Sequence, residues 1–569
     1  FVQKVIQIEN NPEFGPWRQN ITLIADDAAR PEPNHGSIST GQSHTINSEQ
    51  LANIIPSKFH INKLYMLEFP EITDASAYGV IKPKATEALF NQLNTGTSIL
   101  SYIGHGSPTQ LAQEKLLDIN RGDLNQIDTD KKLPLWIVGT CSFGHFDDPQ
   151  TESFSEELIR SPMNAASMVI STSRPITVTG NERYTKNLFE SIFPNKNVSN
   201  QSIGILLQSI KDGTNESQYF HLFGDPALKV PIPKDSLIIN SINPDTLKTL
   251  QIGLANIEQS KIEGNGNGYI ILSDASRFVK REYQISSETY HLNYELPGAN
   301  LFRGLFSFSG ATFNTQLRVP KDISYSNNPG KISVYIYDDD KEALGSLNNI
   351  IIIGGDESSD ISGPKITFET ISGRILNEGD HFFYDDNIII KLFDPLGINI
   401  TNEIGHEIKI IDLETNISQI VTEQFYYNLN SITTGNINYP IKSSQKIYIS
   451  IKAWDNANNP SEKQIQLYGT TNNKLKLYNI YNYPNPFQTI TQFSFEITKD
   501  ADLAIDIFTL AGKKIKNFDY INLNAGFHII DWDGKDQFSG KISRGVYLYR
   551  IIAKNQNSKA TYIGKCAKF

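Results

Sequence analysis

The sequence predicts a multidomain protein in which a doubly wound α/β domain is followed by three β-sandwich domains. Its 569 residues correspond to about three to five domains of roughly 100–200 residues each. Up to residue 233, short apolar runs alternate with amphipathic segments, and beyond it short strand-like segments are separated by Gly, Asn and Asp. The composition, with 39% hydrophobic, 20% charged and 10% aromatic residues, is that of a folded globular protein.

The first 233 residues carry the alternation that is typical of a parallel sheet covered by helices on both faces. Apolar runs of strand length lie at residues 21–25, 64–69, 98–103, 135–139 and 166–172. Segments with apolar residues three and four positions apart, the helical pattern, lie at residues 85–93, 153–159, 182–193 and 202–210. We therefore predict a doubly wound α/β domain over residues 1–233.

Helical periodicity largely disappears after residue 233. In the segment GKISVYIYDDD, for example, Ile332, Val334 and Ile336 fall on one face of an alternating pattern, as the period of two in a strand requires. We predict two β-sandwich modules, at residues 234–363 and 364–472, and a third β domain at residues 473–569.

Charge and cysteine content exclude two classes of protein. The net charge of −11 argues against a nucleic-acid partner, because phosphate binding depends on clustered Lys and Arg. Cys141 and Cys566 are too far apart in the chain to indicate a disulfide framework or a Cys-based zinc site.

No apolar run approaches the roughly 20 residues of a membrane span, so no transmembrane segment is predicted. Because the sequence begins at Phe1 and not at Met, we expect further residues upstream.

Two of the predicted strands continue into chemically reactive residues. The run at 98–103 leads into Gly-His-Gly, with the histidine at His105, and the run at 135–139 leads into Cys141. Reacting groups of open α/β sheets gather at the carboxyl ends of the strands. If these strands are neighbours, His105 and Cys141 form a nucleophile with its general base. The backbone N–H groups of Gly106 and Cys141 are the candidates for an oxyanion hole.

The resulting hypothesis is covalent catalysis. His105 withdraws the thiol proton of Cys141, and the thiolate attacks a peptide carbonyl to give a thioester. Resolution by water makes a protease, whereas resolution by an amine makes a transpeptidase. The alternative is that Cys141 is a buried residue at the end of a strand and His105 a loop histidine with its hydrogen bonds satisfied. The flanking glycines favour catalysis.

A third group is expected to orient His105. Glu68, which follows an apolar strand, is the first candidate, and Asp26 and Asp27 are the next candidates. The alternative for each of these carboxylates is a capping or loop position.

Metal binding is a weaker interpretation of the remaining acidic residues. His145 with Asp147 and Asp148 lacks further ligands at matched spacing, so no metal ligand is predicted. The acidic turns at residues 338–340 and 455–459 are the candidate sites for a structural calcium ion. The alternative is that these turns are solvated and hold no ion. No cofactor is required.

The motifs resemble the gingipain-type cysteine peptidases over about residues 1–233. The resemblance rests on SYIGHG, GTC, STSRPI and YFHLFGDPALKV. It implies a caspase-like catalytic domain in which His105 and Cys141 form the catalytic dyad.

The C-terminal segment is similar to the sorting domain of cargo that passes through the Bacteroidetes type IX secretion system. The similarity rests on YNYPNPFQTITQFSFEI, IDIFTLAGKKI, IIDWDGKD and SRGVYLYRI. The middle segments, among them DPLGINITNEIGHEI and KAWDNANNP, resemble the β modules of the surface sortases of the same system.

These resemblances imply an enzyme on the cell surface, peripherally attached to the outer membrane. Such a sortase removes the sorting domain from cargo and joins the new C-terminus to anionic lipopolysaccharide. Its implied partners are a PorV-like outer-membrane β-barrel and PorQ- and PorZ-like proteins of an attachment complex. Arg174 is the candidate for lining the substrate pocket, with a structural salt bridge as the alternative. The alternatives for the whole protein are a secreted gingipain-like protease and a non-catalytic surface scaffold.

Overall fold

The computed structural model describes residues 1–27, 42–74, 79–285, 288–371, 373–383, 387–440, 446–470, 475–556 and 558–569. In the first 233 residues its helices are α1 (Val2–Asn10), α2 (Gln42–Ile54), α3 (Pro83–Thr95), α4 (Phe154–Arg160), α5 (Val178–Ile192), α6 (Ile203–Ile210) and α7 (Asn215–Tyr219). The strands are β1 (Asn20–Ala25), β2 (His60–Tyr65), β3 (Ile72–Asp74), β4 (Gly79–Ile81), β5 (Ile99–Ile103), β6 (Gly106–Ser107), β7 (Gln110–Leu111), β8 (Leu117–Asp118), β9 (Leu135–Gly139), β10 (Met168–Thr172) and β11 (Phe220–Phe223).

A six-stranded sheet with the order β11-β10-β9-β5-β1-β2 forms the centre of this domain. Neighbouring strands from β10 to β2 are parallel, and β11 closes one edge in the antiparallel direction. From β1 the chain first adds β2 on one side and then adds β5 and β9 on the other. The strand order therefore reverses between β1 and β5, which makes their carboxyl ends a topological switch point.

Helices cover both faces of the sheet. In β9, Leu135 and Ile137 join the core that includes residues of α2, α5 and α6, whereas Trp136 and Val138 join the core that includes residues of α3 and α4. The strand is buried along its whole length, as expected for a parallel strand between two helical layers. The predicted doubly wound α/β domain is confirmed.

The structure differs from the sequence prediction in several places. Helices α1 and α7 were not predicted. β2 is His60–Tyr65 and not the run at 64–69, because residues 60–65 pair in register with β1. The antiparallel strand β11 was not part of the predicted parallel sheet. Helix α2 was not predicted, because its buried side chains are mostly polar.

The middle of the chain is built from strands. These are β12 (Asp235–Ser236), β13 (Ile238–Asn243), β14 (Thr246–Lys248), β15 (Ile252–Glu258), β16 (Asn265–Ser273), β17 (Arg277–Ile285), β18 (Glu288–Leu296), β19 (Asn300–Ser309), β20 (Thr312–Arg318), β21 (Gly330–Tyr337), β22 (Glu342–Ile353), β23 (Lys365–Thr370), β24 (Ile375–Leu376), β25 (His381–Phe383), β26 (Asn387–Phe393), β27 (Lys409–Asp412), β28 (Ser418–Ile420), β29 (Tyr426–Tyr427), β30 (Thr434–Pro440), β31 (Lys446–Trp454) and β32 (Pro460–Thr470).

One long sheet runs through both predicted middle modules. One half contains β12, β14, β16, β19, β21 and β22, and the other contains β23, β24, β26, β29 and β30. The halves meet where Gly304 of β19 pairs with Tyr427 of β29. Separate sheets, β13-β15-β20 and β25-β32-β31-β27-β28, accompany the two halves. A single hydrophobic core contains residues from both modules. The predicted boundary at residue 363 falls between β22 and β23.

The hairpin β17–β18 reaches from the middle of the chain to the α/β domain. Leu292 and Tyr294 of β18 share a small core with Ala25 and Tyr65, the last residues of β1 and β2. Lys63 of β2 adds a hydrogen bond to the carbonyl oxygen of Glu295 at 2.5 Å. The hairpin therefore packs beside the carboxyl ends of the first two strands.

The C-terminal strands are β33 (Leu477–Tyr483), β34 (Thr491–Ile497), β35 (Ala501–Thr509), β36 (Lys514–Leu523), β37 (Gly526–Trp532), β38 (Gly545–Lys554) and β39 (Lys559–Lys568). They form the sheets β33-β34-β37 and β36-β35-β38-β39, which enclose a core of their own that includes Phe493 and Trp532. The predicted order of an α/β domain followed by β-sheet domains is thus confirmed.

Candidate active site

His105 and Cys141 leave the sheet at equivalent positions of two neighbouring parallel strands. Ile103, the last residue of β5, lies opposite Gly139, the last residue of β9, and each reactive residue follows two positions later. β5 also borders β1 at the switch point, where open α/β sheets form their ligand crevices. The fold therefore brings the predicted nucleophile and base to the place where a ligand is expected.

A small cavity joins the two side chains. It has a volume of about 60 Å³ and is lined by both His105 and Cys141. His44 of α2 and residues 176–178, where α5 begins, complete its wall. The Cys141 Sγ lies 3.9 Å from the carbonyl oxygen of Ile176, and the residue is partly exposed. The thiol is therefore accessible from solvent.

Thr172 of β10 fixes the backbone on both sides of Cys141. Its hydroxyl donates to the carbonyl oxygen of Thr140 and accepts from the Ser142 N–H at 3.1 Å. Ser142 has a φ of 57°, in the left-handed region, so the chain turns sharply directly after the cysteine.

The glycines beside His105 are required by close contacts. A Cβ atom at Gly104 would lie 2.2 Å from the Cβ of Asp26, and one at Gly106 would lie 2.8 Å from the side chain of Thr140. Any larger residue would push the backbone of His105 away from β1 or β9. The Gly-His-Gly motif thus sets the position of the histidine.

Backbone hydrogen bonds hold His105 in place. Its N–H donates to Asp26 Oδ2 at 2.8 Å, and its carbonyl oxygen accepts from the Tyr102 hydroxyl at 2.6 Å. The imidazole ring meets the His44 ring edge to face, with 5.1 Å between the ring centres. In the part of the chain that the structure describes, the buried Nε2 of His105 has no hydrogen-bond partner.

Both histidines are neutral at neutral pH. Burial lowers the pKa of His105, and the Asp27 carboxylate opposes that shift. Burial, aided by the nearby His105, lowers the pKa of His44 to about 3. A neutral imidazole is the form of His105 that can accept a proton from the thiol.

Three carboxyl groups are buried next to His105. Oxygen atoms of Asp26, Asp27 and Glu114 lie within 4.8 Å of one another, and the Lys82 ammonium pairs with Asp27. Burial and the two neighbouring acids raise the pKa of Asp26 well above its usual value. Burial raises the pKa of Glu114 to about 7, with Asp27 adding to the shift. Because the three acids face one ammonium, ionising all of them together is unfavourable.

The carboxylate of Glu68, the candidate orienting acid, is bound by the hairpin β17–β18. Glu68 Oε1 accepts from Arg281 Nη2 at 3.0 Å and from the Tyr294 hydroxyl. Of the acids that the sequence singled out, Asp26 is the one hydrogen-bonded to His105, through the backbone N–H and not the ring. The orienting role of Glu68 stays a prediction.

Arg174, the candidate pocket residue, forms a salt bridge with Asp147. Arg174 Nη1 donates to Asp147 Oδ1 at 2.8 Å, and both side chains are 42% exposed. The hydrogen bond from Arg174 is the main cause that lowers the pKa of Asp147 to about 2. His145 Nε2 lies 3.5 Å from the same carboxylate. Among the described residues, this exposed group is separate from the wall of the 60 Å³ cavity.

The predicted oxyanion donors are the backbone N–H groups of Gly106 and Cys141, and the backbone geometry at Gly106 is compatible with that role. Gly106 lies opposite Leu111 in the β6–β7 pair, and the carbonyl oxygen of His105 accepts from the Ala112 N–H at 3.0 Å. Gly106 therefore occupies a non-hydrogen-bonded position of the pair. Its N–H therefore points away from β7, and its role in an oxyanion hole stays a prediction.

His44 is a site residue that the sequence analysis missed. It lies in α2, whose buried side chains are His44, Thr45, Asn47, Ser48 and Leu51. A helix that buries polar groups lacks the apolar period that marks helices in a sequence. A polar face with a histidine, preceding a predicted strand, is the signal that could have indicated it.

The second cysteine and the acidic turns lie elsewhere. Cys566 is buried in the C-terminal core, and burial raises its pKa to about 12, so it is a packing residue. Asp455 lies with Asp360 and Asp394, with carboxylate oxygens within 4.8 Å of one another. Asp338 accepts from backbone N–H groups of its own turn. Structural calcium stays a prediction.

The comparisons with known proteins give one match to a family model and several similar structures. Residues 1–231 match the model of Peptidase family C25. The chain is similar to a dimeric latent form of PorU from Porphyromonas gingivalis, with 19% identity and a TM-score of 0.27 over 70% of this chain and 41% of that one. It is also similar to the complex of the RgpB pro- and mature domains from the same organism, with 13% identity and a TM-score of 0.31 over 62% of this chain and 73% of that one.

The chain thus spans 41% of the length of the PorU chain that it matches. A search of the curated proteins finds no match. Among the described residues, no helix has both the length and the apolar character needed to cross a membrane.

Proposed function

We propose that the protein is a cysteine endopeptidase and transpeptidase, the cell-surface sortase of a type IX secretion system, and the match of residues 1–231 to the model of Peptidase family C25 supports the peptidase part. The observation that carries the catalytic part is the placement of His105 and Cys141. They follow neighbouring strands at equivalent positions and line one cavity. The sortase part is supported by the sorting-domain motifs of residues 473–569.

The reaction runs in two steps on Cys141. His105 accepts the thiol proton, and the thiolate attacks the carbonyl carbon of the peptide bond that links cargo to its sorting domain. The N–H groups of Gly106 and Cys141 stabilise the oxyanion. When the C–N bond breaks, the imidazolium returns the proton to the leaving amine, and the cargo stays on Cys141 as a thioester. An amine of anionic lipopolysaccharide then attacks the thioester, forms an amide and releases the thiol.

The proposed location is the cell surface, with peripheral attachment to the outer membrane of a Bacteroidetes-type bacterium. The proposed partners are a PorV-like β-barrel, PorQ- and PorZ-like proteins, and cargo proteins that carry a sorting domain. The net charge of −11 argues against nucleic acid as a partner. The proposed chemistry uses side-chain and backbone groups of the chain itself and needs no cofactor.

The test is an intact-mass measurement on cargo with a complete sorting domain, incubated with the protein and an excess of a simple amine. We expect shortened cargo that carries the amine, formed by the wild type and by Cys566→Ala but not by Cys141→Ala. Hydrolysed cargo alone would favour a gingipain-like protease. Unchanged cargo would favour the non-catalytic scaffold.

A further inference from the structure

Three groups with metal-binding chemistry converge beside the cavity. Asp26 follows β1, His44 lies in α2 and His105 follows β5, and one ligand atom from each lies within 4.8 Å of the other two. Two imidazoles and a carboxylate are a donor set that Zn²⁺ takes in proteins. Ca²⁺ and Mg²⁺ prefer oxygen donors alone, so the two histidines select a transition metal.

Two ring nitrogens at this place lack a partner. In the described part of the chain, His44 Nδ1 and His105 Nε2 are buried and make no hydrogen bond. The whole His44 residue is only 4% exposed, so bulk water does not satisfy it. A buried polar atom without a partner costs free energy, and such atoms in a native fold call for a bound species. A metal ion accepts the lone pair of each nitrogen.

The surrounding charge favours a cation. Asp26 is shared between this group and the group that it forms with Asp27 and Glu114. In the described residues the ammonium that pairs with that acidic group is Lys82, through Asp27. Buried carboxylates in excess of their cations are unfavourable unless they bind protons or a further positive charge compensates them.

We propose that Asp26, His44 and His105 form a Zn²⁺ site that switches off the catalytic base. Three protein ligands leave one position of a tetrahedral ion open to water. An imidazole that coordinates metal through one nitrogen keeps its proton on the other. Metal-bound His105 therefore has no lone pair left to accept the Cys141 proton. The inhibition rests on the proposed peptidase function, whereas the metal site does not.

Binding is tested on the full-length protein by competition with a zinc-sensitive dye. We expect one Zn²⁺ per chain in wild type and in Cys141→Ala. We expect His44→Ala and His44→Gln to lose more than about 100-fold in affinity, since losing a second-shell contact alone costs about 10–100-fold. The matched control is His145→Ala, which removes the partly exposed histidine four residues after Cys141 and leaves the affinity unchanged. Thermal unfolding of each variant shows that it is folded, and His44→Gln keeps a polar side chain at the position.

X-ray absorption of the zinc-loaded wild type identifies the ligands. We expect imidazole nitrogen at about 2.0–2.1 Å and no sulfur at about 2.3 Å. A sulfur ligand, an affinity that depends on His145 and not on His44, or no stoichiometric zinc would each overturn the proposal. The last result would assign the buried nitrogens to ordered water. A protein that binds zinc through His44 but cleaves no cargo would contradict the proposed function and leave the metal site standing.

Discussion

The Asp26 carboxylate holds the backbone of His105, with 2.8 Å between Asp26 Oδ2 and the His105 nitrogen. Tyr102 holds the carbonyl of the same residue. The histidine is thus fixed through its main chain, while its ring meets the neutral ring of His44. The Asp26 carboxylate therefore fixes the position of His105 through the backbone N–H. In the described hydrogen bonds it does not contact the imidazole ring.

Asp26→Ala and Asp26→Asn differ in whether this hydrogen bond survives. The asparagine oxygen can still accept from the His105 N–H, whereas alanine leaves that N–H without a partner. We expect kcat/KM to fall about 100-fold in Asp26→Ala, the cost of a base misplaced by about 1 Å, and less than about 10-fold in Asp26→Asn. Peptide hydrolysis assays with KM and kcat measured separately provide the comparison. Equal losses in the two variants would contradict a positioning role through the main chain.

Glu68→Gln separates anchoring of the hairpin from orientation of the histidine. Because Glu68 binds Arg281 and Tyr294, we expect the variant to lower the free energy of unfolding by about 1.5–3 kcal/mol, the range for hydrogen bonds to charged groups. The pH profile of kcat/KM should stay that of the wild type. Urea unfolding and the pH profile are the two measurements, with the exposed Tyr325→Phe as the control for stability. A displaced pH profile would instead establish Glu68 as the orienting acid.

The raised pKa of Glu114 predicts that the stability of the protein falls as the pH rises. Burial and Asp27 raise its pKa to about 7, while Lys82 opposes the shift. Between its usual pKa of 4.5 and this value the folded state binds more protons than the unfolded state, so stability falls as the pH rises. We expect Glu114→Gln to flatten the change in urea midpoint between pH 5 and pH 7. Glu263→Gln, on an exposed turn, should leave the change as it is. A slope in Glu114→Gln as steep as that of the wild type would contradict the assignment.

The strands, and the positions of His105 and Cys141 after two of them, could be predicted because their signals are local. Residues 135–139 are apolar and all buried, so the sequence shows the strand directly. The glycines beside His105 mark a close approach of backbones that the structure confirms at Asp26 and Thr140.

The rest of the site depends on contacts that no local pattern shows. Helix α2 buries His44 together with other polar side chains, and apolar periodicity therefore gives no signal there. Glu68 finds its partner Arg281 213 residues later, in a hairpin of the middle sheet. The local sequence does not show whether a carboxylate at the end of a strand lies beside His105 or binds a residue that is distant in the chain.

The reactivity of Cys141 tests the central claim most directly. Native wild type and His105→Ala are labelled with iodoacetamide at pH 7, and peptide mapping by mass spectrometry follows Cys141, with the buried Cys566 as an internal control. Because His105 acts as the base, we predict that Cys141 reacts at least about ten-fold faster in the wild type, while Cys566 stays unlabelled in both proteins. Equal rates for Cys141 in the two proteins would contradict a catalytic dyad.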